Sequence, residues 1–120
     1  ELKAVCQQQG LGVLPYFALA SGFLTGKYRS EADLAASSRG AFVKHHLNER
    51  GLHILGALDQ VAADCAATPA RVALAWLIAQ PTVTAPIASA TSLTQLDELV
   101  KATELKLDGQ ALAKLDAASA

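Results

Sequence analysis

Residues 11–15 are apolar without the alternation of a half-exposed strand, and Val83, Ala85 and Ile87 give a second short apolar run with Pro86 inside it. Such runs predict parallel strands covered on both faces, which only a helix-flanked sheet or barrel provides. Each is followed by residues rich in Ser, Thr or Gly. Ser21, Gly22, Thr25 and Gly26 follow the first; Ser89, Ala90, Thr91 and Ser92 follow the second. Leu93, Leu96, Leu99 and Val100 then recur at helical spacing, and Ser92 with Gln95 matches the capping-box pattern. A helix starting at Ser92 and running to about Lys101 is predicted.

The same reading assigns the other elements. Residues 2–9 form the last turns of a helix stopped by Gly10. Asn48 caps a helix over 49 to about 66, whose stripe is Leu52, Leu55, Leu58, Val61 and Ala62. Thr68 caps a second helix with Pro69 at its first position, where a missing N–H costs nothing. That helix is apolar nearly all round, so it is expected to be buried, with Trp76 in the core. Asp108 caps a last helix through Leu112 and Leu115. Residues 29–46 read as a long, mobile, polar insertion.

Composition narrows the function classes. With 52% hydrophobic residues in 120, the chain is one globular domain. A net charge of −1, with acids and bases mixed, offers no basic face to nucleic acid or anionic lipid. No apolar run approaches the ~18 residues of a membrane span. Cys6 and Cys65 lie far apart in helical, apolar settings, so buried free thiols and a reducing cytoplasm are expected. His45 and His46 are adjacent with no further ligand at metal-binding spacing, so no metal site is assigned. The chain starts at Glu1 and contains no Met, and it reads as a piece of a longer protein.

The helix opening at Ser92 has unsatisfied amides and a partial positive charge aimed beyond the preceding strand, a position that favours an anion. Three segments then carry a resemblance. PYFALASGFLTGKY (residues 15–28) resembles the segment after the seventh strand of the aldo-keto reductases, roughly Y-S-P-L-x-x-G-x-L-T-G-K-Y. TPARVALAWLIAQ (68–80) is similar to that family's T-P-A-Q-V-A-L-A-W-L, and APIASATSLTQLDEL (85–99) to its eighth-strand segment, roughly I-P-G-A-R-x-x-x-Q-x-E-E-N.

The resemblance implies an α/β fold, the (β/α)8 TIM barrel. A complete barrel takes about 250 residues, so residues 1–120 would supply only the last two βα units and a C-terminal helix as a single domain. It also implies an oxidoreductase reducing aldehydes or ketones with NADPH, this chain supplying the cofactor-binding part. Tyr16 falls where an aromatic ring stacks on nicotinamide. Phe17, Leu19, Ser21 and Gly22 align with the pyrophosphate-wrapping positions. Ser89, Ala90, Thr91 and Ser92 align with those receiving the 2′-phosphate, and Gln95 and Glu98 with those contacting adenine. Lys27 matches the family's T-G-K-Y and reads equally as a solvated loop charge.

Four departures stand out: Phe17 replaces the usual Ser, Ala18 the usual Pro, Thr91 a frequent Arg, and Leu99 the Asn that commonly closes the motif. Losing a guanidinium predicts a looser phosphate grip, so the cofactor is NADP(H) with NAD(H) as the alternative. The family's catalytic Tyr, Lys, Asp and His lie on earlier strands, so no catalytic residue is assigned and the chain alone is expected to be inactive. The implied partners are a small carbonyl substrate and either the missing part of the barrel or further copies of the chain. The competing function is a nicotinamide-binding regulatory or auxiliary subunit with little turnover.

Overall fold

Four side-chain caps set the frame. Asn48, Thr68, Ser92 and Asp108 are in extended conformation, and each accepts from the amide three residues on, those of Gly51, Arg71, Gln95 and Ala111. Each satisfies one of the donors a helix start leaves unpaired. In the computed structural model, which describes residues 1–120, the order is α1 (Leu2–Gln8), a 3-10 segment (Ala20–Thr25), α2 (Glu31–Ala35), α3 (Gly40–Val43), a 3-10 turn (Lys44–His46), α4 (Glu49–Asp64), α5 (Pro69–Ile78), α6 (Leu93–Glu104) and α7 (Gly109–Ser119).

The main core lies where α4, α5 and α7 meet the loop after residue 16. Leu55, Leu58 and Val61 of α4 pack with Val72 of α5, Leu115 of α7, and Phe23 and Tyr28 of the loop. The axes of α4 and α5 make a 94° bend. A smaller cluster joins Ala18, Leu74 and Ala102, seating α6 on α5. No single helix is long and apolar enough to cross a membrane. Cys6 and Cys65 are free, and both are half-buried rather than buried.

The expected strands are reduced to one parallel bridge between Val13 and Val83. Val13 N–H donates to Thr82 O, and Thr84 N–H donates back to Val13 O, both at 2.9 Å. In a parallel ladder the next two bonds would come from the amides of residues 15 and 86. Both are proline and have no N–H, so the ladder ends there. Ile87 N–H reaches Pro15 O at 3.0 Å in their place, one residue out of register. Nor are the two runs covered on both faces: Leu11 and Leu14 are exposed.

Residues 29–46 are not a structureless insertion. Ser30 and Asp33 form a reciprocal capping box that starts α2, and Leu34 and Val43 are buried. Arg29 closes the segment onto α4 with two 2.8 Å bonds to Asp59. Burial also departs from the sequence stripes. Leu52 of α4 and Leu93, Leu96 and Val100 of α6 are exposed, and Trp76 is half-buried, its Nε1 donating to Asp116 at 2.7 Å.

Candidate cofactor-binding site

Because the Val13–Val83 pairing is parallel, both chains leave it in the same direction, and the 16–21 and 89–95 segments follow its same end. At the first junction Tyr16 is 72% exposed, its ring edge-on to Phe17 with centroids 4.9 Å apart. Leu19 turns inward against both core clusters, so any contact it makes outward comes from its backbone. Ala20, Ser21 and Gly22 then take φ of 48°, 58° and 96°, three consecutive residues in the left-handed region. For Ala20 and Ser21 this costs roughly 1–2 kcal/mol each. A side chain on Gly22 would meet Lys27 only at ordinary contact distance, so glycine is needed there for its φ and not for space.

Tyr28 closes the loop from below. It is almost fully buried, and its hydroxyl lies 2.9 Å from the Ser37 hydroxyl. Lys27 Nζ sits 5.0 Å over its ring. Burial pushes the phenol up, but the Ser37 bond and the Lys27 and Arg39 cations outweigh it, leaving it below its ordinary value. Neither Lys27 nor Arg39 has a carboxylate within ion-pair distance. These two cations flank the loop, and composition alone did not single out Arg39. Its signal was position, two residues beyond the hydroxyl that binds Tyr28.

At the second junction Ser89, Thr91, Ser92 and Gln95 are exposed and Ala90 is half-buried. Ser92 Oγ accepts from Gln95 N–H at 3.2 Å. Gln95 does not complete the reciprocal box with Ser92. Its Oε1 reaches one residue further back, accepting from Thr91 N–H at 2.8 Å and Thr91 Oγ1 at 3.0 Å. The exposed amide nitrogen of Gln95 remains free to donate.

Glu98 is held differently from the others. Its carboxylate accepts from Arg71 Nε at 2.9 Å, from Arg71 Nη2, and from Thr68 Oγ1 at 2.6 Å. Arg71 first and Thr68 second hold its pKa below the ordinary carboxylate value. This group pins the start of α5 to α6, so any ligand contact must share oxygens already bonded.

Away from both junctions, the His45 and His46 rings lie 3.8 Å apart. Burial, then the neighbouring His45, lowers the His46 pKa. No group of three or more His, Cys, Asp or Glu side chains converges on a point.

The amino-acid sequence is similar to those of known oxidoreductases and related subunits. The chain is 32% identical over 97% of its length to an uncharacterized oxidoreductase, YrpG, of Bacillus subtilis. It is 30% identical over 96% to probable aldo-keto reductase 1 of Glycine max, and 31% identical over 88% to a probable voltage-gated potassium channel subunit beta of Arabidopsis thaliana. In each case it covers 34% of the relative, so the chain spans about a third of the length of the curated relatives it matches. The Aldo/keto reductase family model matches residues 1–120 throughout, and the chain belongs to that family.

Proposed function

We propose that this chain supplies the nicotinamide-cofactor-binding part of an oxidoreductase that reduces aldehydes or ketones to alcohols with NADPH, and that it forms the seventh and eighth βα units of a (β/α)8 barrel. The observation that carries the reading is the parallel bridge, which sets a strained, left-handed loop and a hydroxyl-rich helix start side by side at one end. Backbone strain of this kind persists where the surroundings hold it for a purpose, and although Gly22 N–H already donates to Leu19 O at 2.9 Å, the amides of Leu19 and Ser21 have no backbone partner and suit an anion.

The residues present fit such a group. The exposed Tyr16 ring stacks on the nicotinamide and fixes its face; the bound cofactor supplies the hydride. The backbone of Phe17, Leu19, Ser21 and Gly22 wraps the pyrophosphate. Ser89, Ala90, Thr91 and Ser92 line the 2′-phosphate end, where the hydroxyls donate, and Gln95 offers its amide to the adenine. Glu98 acts mainly by fixing α6 on α5. No Lys or Arg lies within residues 83–100, so the second junction offers the phosphate hydroxyls and amides but no cation of its own.

A second reading, a cofactor-binding auxiliary subunit with little turnover, is supported by the likeness to probable voltage-gated potassium channel subunits beta, which are named as subunits and not as reductases. In either reading the exposed Leu11 and Leu14 await the rest of the barrel or another copy.

Titrating NADPH and NADH into the intact protein tests the cofactor site. Both should bind, with a preference for NADPH below about a thousandfold, or ~4 kcal/mol. Tyr16→Ala and Gln95→Ala should each weaken NADPH. If both variants bind it like the unmodified protein, the assignment of the two junctions falls.

A further inference from the structure

A cavity of about 430 Å³ lies between α4, α5, α7 and the loop after Phe17. Phe17 is the one residue it shares with the proposed cofactor contacts, made there through its backbone; neither Tyr16 nor any residue of the second junction lines it. Its size falls within the ~300–1,000 Å³ typical of small-molecule sites. Phe23, Ile54, Leu58, Trp76 and Leu77 supply an apolar wall.

The polar groups around it are mostly spent. Asn48 Oδ1 caps α4, and its Nδ2 donates to His45 O. Asp116, against the indole of Trp76, accepts from its Nε1. Arg50 is the exception. One of its nitrogens donates to Ser119 O at 2.6 Å, setting the guanidinium between α4 and α7, and no carboxylate lies within ion-pair distance of it. A guanidinium has five N–H donors and no acceptor, so four remain for a ligand. His46, on the same lining, adds a second nitrogen donor or acceptor.

We propose that this cavity binds a small amphipathic carboxylate, its apolar body against Phe23, Ile54 and Trp76 and its carboxylate on the Arg50 guanidinium. One cation beside an apolar wall matches a monoanion. A phosphate dianion would leave charge uncompensated where desolvation is costly. The planar fork of Arg50 also suits two-point contact with a carboxylate.

Trp76 is the only tryptophan in the chain, so its emission reads this cavity directly. Decanoate and 1-decanol, below their aggregation limits, are titrated into the purified protein at neutral pH. A saturable change in emission with decanoate, at least about tenfold tighter than with decanol, is expected from one charge-assisted contact. Arg50→Gln should bring decanoate to the level of decanol, and Arg50→Lys should recover part of the difference. Ile54→Phe should weaken both ligands by filling the cavity while the circular dichroism stays unchanged. NADPH should not compete with decanoate. The proposal is overturned by the absence of a saturable change, by equal affinity for acid and alcohol, by an Arg50→Gln protein that still prefers the acid, or by competition with NADPH. Should Arg50→Gln fail to fold, the acid–alcohol comparison on the unmodified protein decides alone.

Discussion

Helix α4 holds two glycines for which one substitution should have opposite effects. At Gly56 a built Cβ meets nothing within 4 Å. Gly56→Ala should therefore show only the propensity gain of alanine over glycine in a helix interior, about 0.8–1 kcal/mol. At Gly51 the same Cβ would overlap the His46 carbonyl oxygen outright and stand 3.0 Å from Phe23 Cζ and 3.1 Å from the His46 carbonyl carbon. An ordinary C···O separation is ~3.3 Å or more, so the 45–46 turn must retreat or the helix start must shift. Overpacking of this kind costs about 1–3 kcal/mol. Moving Gly51 also stretches its amide from Asn48 Oδ1, now at 2.9 Å, and an N-cap is worth about 1 kcal/mol. Set against a propensity gain of up to ~1 kcal/mol, Gly51→Ala should lose roughly 1–3 kcal/mol. Urea unfolding of both variants with a common slope gives the comparison. Two substitutions that shift stability in the same direction would refute the close-approach argument.

Ser92→Ala should lower stability by about 1 kcal/mol through loss of one amide partner; a neutral result in urea unfolding would mean the turn before α6 is held by Thr91 and Gln95 alone. Glu98 has a folded-state pKa below its unfolded value, so its contribution is complete above about pH 4.3 and disappears as pH falls through the folded value. Glu98→Gln should cost about 2 kcal/mol at pH 7, the range of a charged hydrogen bond, and progressively less toward pH 3; a pH-independent difference would exclude ionic stabilisation by Arg71. The 120-residue chain assayed alone, by NADPH oxidation with an aldehyde panel, should show no turnover. Activity abolished by Tyr16→Phe or His46→Gln would reveal a site that the two junctions do not contain.

What was legible in the sequence was whatever a few neighbouring residues decide. Asn48, Thr68, Ser92 and Asp108 each announced a helix because a cap acts over three residues. The same signal is present in Ser30 and Asp33 but is masked by the polarity of the surrounding segment. Contacts between distant positions were not legible: Arg29 finds Asp59 across 30 residues, and Arg71 finds Glu98 across 27. Glu98 therefore read as a ligand contact when its geometry also makes it a structural clamp. The cavity beside Trp76 was hidden for the same reason, since its walls come from four separate parts of the chain.

The strands failed in a more informative way. Pro15 and Pro86 were visible, but that they fall on successive bonds of one ladder depends on register, which is set by the Val13–Val83 pairing some 70 residues apart. Together they stop the pairing at a single level, because each removes a donor the next step requires. Beyond that level the chains have only the Ile87–Pro15 bond between them before one becomes the left-handed turn at Ala20–Gly22 and the other the Thr91–Gln95 cap. Had the ladder continued, its bonds would have tied the two junctions together. The prolines instead let both open at the same height, so a ligand spanning them would meet Tyr16 on one side and the Ser92 helix start on the other.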